Sequence, residues 1–344
     1  MRVLAWPIQS PTNPYTPLLY SNLDPGVQAE EFSAGKLLER YSVWHVHWPE
    51  ALLNIRNPLL AASKVAGLFA AVDCLHMRGA KLVWTIHNCR SHEKLHPSLE
   101  AWFWRRFIPR VDGIISLSAA GLSNALESFP ELHRVPKAVI PHGHYRDEYP
   151  RATLGARKKL GIPSEAKMVL FVGAVRAYKN VDTLVRAFRD VTTPNASLYI
   201  VGSPNSTKLA ESILAEASSD NRVSVLFEFV EPKALSAYLS AADLVVLPYR
   251  DILNSGSALL SLSLNRPILV PDLGAMGELK GDFGDSWVRT FNGELDPSTL
   301  ESALDWAVQN RMAVCPMPQK YEWSSIGRET ARFYGAVIAE NVSH

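Results

Sequence analysis

The sequence predicts an α/β protein of two Rossmann-like, doubly wound domains whose strand ends face a central crevice, with a closing helix that returns to the first domain. Three observations carry this. The chain has 344 residues, more than one ordinary hydrophobic core holds, so two domains are expected. Short apolar runs alternate with helix-period patterns along most of its length, as parallel strands joined by crossover helices do. The alternation lapses once into proline, glycine and charge, in "PHGHYRDEYPRATLGARKKLGIPSEA", and then restarts. That stretch reads as a linker centred near 150.

In the first domain (1–150) the strand candidates are "RVLAW" (2–6), a weaker one near "VQAEEFS" (27–33), "SVWHVHW" (42–48), "KLVWTIH" (81–87), "GIISLS" (113–118) and "AVI" (138–140). Helical patterns fall near 14–22, 58–78, 98–108 and 119–128. The second domain (151–321) repeats the alternation, with strands at "MVLFVGA" (168–174), "SLYIVGS" (197–203), "VSVLFEFV" (223–230), "DLVVLPY" (243–249) and "PILVP" (267–271). Its helices are expected at about 181–190, 206–218, 232–241 and 256–264. After the "CPMP" break, "WSSIGRETARFYGAVIAENV" (323–342) has apolar residues at helical spacing, and 322–344 is assigned to the first domain as the closing helix. Paired domains of this kind bind ligands where their strand ends face one another.

Composition narrows the class. The chain is 47% hydrophobic and 20% charged, which is globular. A net charge of +1 gives no global basic field, so nucleic acid is not an expected partner. Cys74, Cys89 and Cys315 are far apart and odd in number, which reads as reduced thiols in a cytosolic protein. "MRVLAWPIQSPTNP" has neither a long apolar core nor a small-residue cleavage site, so no signal peptide is expected. "PLLAASKVAGLFAAV" (58–72) is interrupted by Lys64 and is shorter than the ~20 residues of a membrane span, so no crossing is expected either.

The chemistry begins at "VLFVGAVRAYKNVDTLVRAF" (169–188). A strand runs into Gly173, cations follow at Arg176 and Lys179, and an amphipathic helix starts. Backbone N–H groups and a helix dipole at such a turn hold phosphate. Arg176 can grip two oxygens and Lys179 acts as a point charge; the plainer alternative is a solvated helix start. The spaced glycines of a dinucleotide fingerprint are absent, which argues against a dehydrogenase. In "DLVVLPYRDILNSGSALLSLSLNRPILVP" (243–271) a second helix opens at Asn254, Ser255 and Gly256 with its N–H groups free for an anion or merely capped. Two such starts on one sheet suit a diphosphate. His45 and His47 share one side of a strand, but no cysteine or acid cluster with zinc-like spacing accompanies them, so no metal is expected.

Strand–Gly–x–x–Arg–x–x–Lys, then "YIVG", then "ADLVVLPY" before a glycine-headed helix, resembles the nucleotide-sugar glycosyltransferases of the two-Rossmann GT-B fold. "ERYSVWHVHWPE" (39–50), "IPHGHYRDEY" (140–149), "VRAYKNVDTLV" (175–185) and "VVLPYRDILNSGSALLSLSLNRPIL" (245–269) are similar to the xanthan-type β-mannosyltransferases, glycosyltransferase family 94. The likeness runs from "TNPY" (12–15) to the closing helix. One departure from the large retaining GT-B family matters: "NSGSALLSLSLNRP" lacks its pair of glutamates, which disfavours a retaining reaction and leaves the ribose contact unassigned.

The resemblance implies an inverting transfer of mannose from GDP-mannose to a polyprenyl-diphosphate-linked oligosaccharide in exopolysaccharide assembly, without metal or other cofactor. It implies that Arg176 and Lys179 neutralise the leaving diphosphate, that guanine lies against 229–231, and that His142 and His144, flanking Gly143, serve the donor sugar. Inversion needs a base from the first domain. The loop "PIQSPTNPYTP" has no acid or histidine, which leaves Glu50, His87 and the pair His92 and Glu93, with Glu50 favoured. A UDP-sugar transferase is the nearest alternative; a sugar-nucleotide 2-epimerase would need acids at the sugar that "SLSLNRP" does not offer. A lipid-linked acceptor implies a cytoplasmic protein held peripherally on the inner face of the cell membrane. "AWFWRRFIPR" (101–110), with Trp102, Phe103, Trp104 and Phe107 beside Arg105, Arg106 and Arg110, is the expected contact with anionic lipid.

Overall fold

All strand pairings among the described residues are parallel. The structure, a computed structural model, describes residues 1–10, 13–91, 94–150, 155–252, 254–310 and 314–340. The chain forms two units, Met1–Gly143 with Gln319–His344, and His144–Pro318.

In the first unit, β1 (Arg2–Trp6), β2 (Gln28–Glu31), β3 (Val43–His47), β4 (Lys81–Ile86), β5 (Gly113–Ser116) and β6 (Lys137–Val139) make a sheet of order β2-β1-β3-β4-β5-β6. The winding reverses between β1 and β3, the kind of switch point at which such sheets bind ligands. Its helices are α1 (Tyr15–Ser21), α2 (Pro58–Met77), α3 (Pro97–Phe107) and α4 (Ala119–Ser128). One face of the sheet, Val3, Val43, Val83 and Ile115, is covered by Tyr15 and Leu19 of α1 and by Ile326, Phe333, Tyr334 and Val337 of the closing helix α12 (Trp323–Glu340). Two glycines let α12 sit this close. A Cβ on Gly113 would lie 2.6 Å from Val337, and one on Gly327 would lie 1.8 Å from the Asn22 carbonyl oxygen.

The second unit's sheet contains β7 (Lys167–Val172), β8 (Ala196–Val201), β9 (Val223–Leu226), β10 (Leu244–Val246), β11 (Ile268–Pro271) and β12 (Val288–Phe291), in the order β12-β11-β10-β7-β8-β9. Counted from its own first strand this is the 3-2-1-4-5-6 winding of dinucleotide-binding sheets, with the switch point between β7 and β10. Around it lie α5 (Ala156–Lys159), α6 (Val181–Arg189), α7 (Thr207–Ala217), α8 (Pro232–Ala241), α9 (Gly256–Ser263), α10 (Ala275–Phe283) and α11 (Pro297–Gln309). In α6, Val181, Leu184, Val185 and Phe188 are buried while Arg186 and Arg189 stay in water, as its amphipathic period requires.

The structure differs from the sequence reading in places. β9 stops at Leu226, so 227–230 leave the sheet and Phe229 is 62% exposed. The elements α10, β12 and α11 lie beyond the last strand read from sequence. The aromatic segment in α3 is also turned the other way. Phe103, Trp104 and Phe107 are buried, packed on Phe69 and Trp84. Those rings complete the core and form no membrane face. In the first unit the two most exposed large apolar side chains among the described residues lie instead on α2, Leu59 at 81% and Met77 at 82%.

Candidate functional site

The second unit brings the glycine, cation and helix-start segments singled out from sequence to the β7/β10 switch point. β7 ends at Val172, and Gly173 takes φ 117°, a conformation that disfavours any Cβ. A Cβ there would lie 2.6 Å from Ser257 Oγ and 3.4 Å from Lys179 Nζ. At the end of β8, a Cβ on Gly202 would be 2.0 Å from the Gly173 carbonyl oxygen. These glycines thus let two strand ends, the Lys179 ammonium and the first turn of α9 converge.

Lys179 is the central group. It closes the short turn Ala177–Lys179, is 9% exposed, and points its ammonium at the Tyr249 ring, 5.1 Å from the centroid. Among the described residues it has no carboxylate, carbonyl or hydroxyl partner. Burial lowers its pKa, the usual cost of an ammonium kept from water without an anion. Arg176 is partly exposed, and its guanidinium donates to the Val175 carbonyl at 3.0 Å and the Ser203 carbonyl at 3.4 Å. Asn180, in the left-handed region at φ 57°, turns the chain from that loop into α6.

The start of α9 belongs to the same cluster. Ser255 caps it, its Oγ accepting from Ala258 N at 3.2 Å, which leaves the N–H groups of Gly256 and Ser257 outside the helix ladder. Asn254 Nδ2 is buried without a hydrogen-bond partner among the described residues. Gly256 faces the Tyr145 hydroxyl, 3.3 Å from where its Cβ would sit. Two side chains here were missed from sequence. Ser257 is a plain helix serine until the Gly173 contact is known. Tyr249, whose phenol burial pushes up to about 12 against the pull of Ser255 and Ser257, reads as the last residue of a strand.

His142 and His144 fall in different units. His142, in the first, donates Nδ1–H to the Gly143 carbonyl at 2.8 Å and packs on Tyr15 and Trp323, and burial lowers it to about 4. His144, in the second, is buried and accepts at Nδ1 from Arg146 N at 3.3 Å. Tyr145 N donates to Ser263 Oγ at the end of α9 at 2.9 Å, and the Arg146 guanidinium holds the Cys315 carbonyl.

The first unit gathers its polar groups at the C-terminal ends of β3 and β4. Trp48 follows β3 in the left-handed region (φ 48°, ψ 48°) and Pro49 opens a short helical turn, Pro49–Asn54. A non-glycine residue held there marks a strained, over-determined position. That turn buries Glu50 to 2% exposure. Its Oε1 accepts from Asn88 Nδ2 at 2.8 Å, its Oε2 has no hydrogen-bond partner among the described residues, and burial pushes its pKa up to about 7. His87, just past β4, is partly exposed and stacks on Trp48 at 4.0 Å and 20°. Burial pushes its pKa well below the usual imidazole value. His45 and His47 are fully buried and face hydroxyl and ring partners. Among the described residues no group of three or more His, Cys, Asp or Glu side chains is placed to hold a metal ion. His92 and Glu93 lie outside the described residues.

Two units, each built on a doubly wound parallel sheet, have the architecture of the GT-B glycosyltransferases. The profile described as "Glycosyl transferases group 1" matches residues 155–285, the first part of the second unit. Among curated proteins, the GDP-mannose:glycolipid 4-beta-D-mannosyltransferase of Xanthomonas campestris pv. campestris is 33% identical over 328 residues, spanning 94% of this chain and 88% of that protein. The chain belongs to the glycosyltransferase family of that mannosyltransferase. Solved structures agree on the fold. HepE of Anabaena, in complex with UDP and glucose, superposes with a TM-score of 0.63 at 15% identity over 100% of this chain and 99% of HepE. Sucrose-phosphate synthase from Thermosynechococcus elongatus gives 0.60 at 16% identity over 90% of this chain and 74% of that one.

Proposed function

We propose that this glycosyltransferase moves mannose from GDP-mannose, with inversion, to a glycan carried on a polyprenyl diphosphate in exopolysaccharide assembly. The observation that carries the donor half is the buried ammonium of Lys179 beside Gly173 and the start of α9, with no carboxylate, carbonyl or hydroxyl partner among the described residues. A cation held out of water without an anion is stabilised most by a ligand that brings one. In the transition state the sugar–diphosphate bond breaks and negative charge grows on the departing oxygen. Lys179, Arg176 and the free N–H groups at Gly256 and Ser257 act there as a preorganised counter-charge, in place of a divalent metal. Guanine is assigned to 229–231 by fold analogy. Mannose and guanosine themselves rest on the name of the 33% identical relative.

The acceptor half rests on Glu50. A carboxyl poised near neutrality, with one oxygen fixed by Asn88 and the other without a hydrogen-bond partner among the described residues, suits a general base for a sugar hydroxyl. The lipid-linked acceptor places the protein peripherally on the inner face of the cell membrane.

Lys179→Ala tests the donor assignment by calorimetry. Binding of GDP weakens by about 1.5–3 kcal/mol, the loss of a charge-assisted contact, while guanosine binding is nearly unchanged. Equal weakening of both ligands removes Lys179 from the diphosphate site.

A further inference from the structure

One hydrogen-bonded chain of side chains runs through the first unit to the partly exposed residue His87. Thr85 Oγ1 lies 2.7 Å from His45 Nε2. His45 Nδ1 meets the Tyr334 hydroxyl at 2.7 Å and the Tyr20 hydroxyl at 3.0 Å. The Tyr20 hydroxyl also lies 2.8 Å from His47 Nε2, and His47 Nδ1 lies 3.1 Å from His87 Nε2. These groups come from β3, β4, α1 and α12, far apart in sequence. His45, His47, Thr85 and Tyr334 are buried. Among the described residues no carboxylate or cation hydrogen-bonds to the chain, and burial lowers the pKa of all three rings, which favours the neutral form.

Donor and acceptor bookkeeping gives the chain a direction. A neutral imidazole has one N–H, so each ring donates at one nitrogen and accepts at the other. A phenol O–H is the better donor and an imidazole nitrogen the better acceptor. The two shortest tyrosine–histidine contacts are therefore Tyr334 O–H to His45 Nδ1 and Tyr20 O–H to His47 Nε2. His45 then carries its proton on Nε2, toward Thr85 Oγ1. His47 carries its proton on Nδ1 and donates it to His87 Nε2. With Nε2 accepting, the single proton of His87 sits on Nδ1, a nitrogen with no protein partner among the described residues. Stacking on Trp48 and edge contact with Tyr15 at 5.2 Å hold the ring plane.

We propose that the His47–Tyr20 pair locks His87 as its Nδ1–H tautomer, so that His87 offers the acceptor glycan a hydrogen-bond donor and does not act as the base. This rests on the glycosyl-transfer reading above. A bond from His87 N–H to the nucleophilic oxygen would orient that hydroxyl and leave its proton for Glu50. A histidine in this state has no free lone pair: its one basic nitrogen already accepts from His47.

The test is long-range ¹H–¹⁵N spectroscopy of the full chain labelled at histidine, with His87 signals identified by their loss in His87→Asn. The wild type shows His87 neutral with the proton on Nδ1. Tyr20→Phe removes the hydroxyl that donates to His47 Nε2, and His87 shifts toward the Nε2–H form. Protonation on Nε2 in the wild type, or a tautomer unmoved in Tyr20→Phe, overturns the proposal. With His87 assigned, the wild-type spectrum decides even if Tyr20→Phe fails to fold, and it needs no sugar donor, so it stands apart from the glycosyl-transfer reading. A kinetic arm asks what the proton is for. Asn places an amide N–H near the position of Nδ1–H, so His87→Asn keeps transfer within about tenfold of wild type, while His87→Ala falls about tenfold further. Equal loss in both variants would make His87 a base and contradict the assignment.

Discussion

Because burial raises the Glu50 carboxyl from 4.5 to about 7, activity and stability respond to pH in opposite senses. Between those values the folded chain binds more protons at this site than the unfolded chain. Stability from this group is fully present below about pH 4.5 and is lost as pH rises through 7, by about 3 kcal/mol at most. Transfer needs the carboxylate, so its rate rises through the same window. Glu50→Gln should therefore melt higher than wild type, by a wider margin at pH 8 than at pH 5. The same variant binds donor normally and loses about 10² in transfer. Near-normal transfer in that variant would pass the role of base elsewhere. At this scale the sequence was partly legible. Arg176 and Lys179 stood out because cations after a strand-ending glycine have few purposes. The burial of Lys179 and the Tyr20–His47–His87 contacts were not legible, because the partners come from distant segments and only the tertiary structure brings them together.

Among the secondary elements, the close approach of the β7 and β8 ends makes Gly202 the most constrained position at the candidate donor site. It lies at φ 154°, and any Cβ would meet the Gly173 carbonyl oxygen at 2.0 Å. Backbone on both sides leaves no soft side chain to move. Gly202→Ala should lose about 2–4 kcal/mol of stability in denaturant titration and weaken nucleotide binding. Gly281→Ala, in α10 with nothing within 4 Å of the new Cβ, is the control and should gain about 0.5–1 kcal/mol from helix propensity. Equal effects in the two variants would show that the packing at Gly202 is softer than its geometry implies. Most strands and helices were legible because apolar runs such as "MVLFV" and the period of α6 have one reading each. The missed elements had weaker signals. β12 leaves Arg289 and Thr290 only half-buried at a sheet edge, and α10 carries two glycines that interrupt its helical pattern.

For the molecule as a whole, the winding of each sheet locates its candidate site, and α2 offers the one long apolar helix among the described residues that leaves much of its surface uncovered. Leu59, Leu60 and Met77 are exposed there, with Lys64 on the same helix and Arg78 at its end. A membrane contact of the proposed kind would use this face. Wild-type protein should float with liposomes containing anionic lipid at low salt, and Leu59→Asp/Leu60→Asp should not. Flotation unchanged in that variant would clear α2 of the role. The central claim concerns the reaction. The most direct measurement incubates the purified chain, exhaustively treated with EDTA, with GDP-mannose, GDP-glucose and UDP-glucose in parallel and follows release of the nucleoside diphosphate. GDP release from GDP-mannose, faster than from either other donor and abolished by Lys179→Ala, is the predicted result. Turnover of UDP-glucose alone, or GDP release only after Mg²⁺ or Mn²⁺ is restored, would contradict the account.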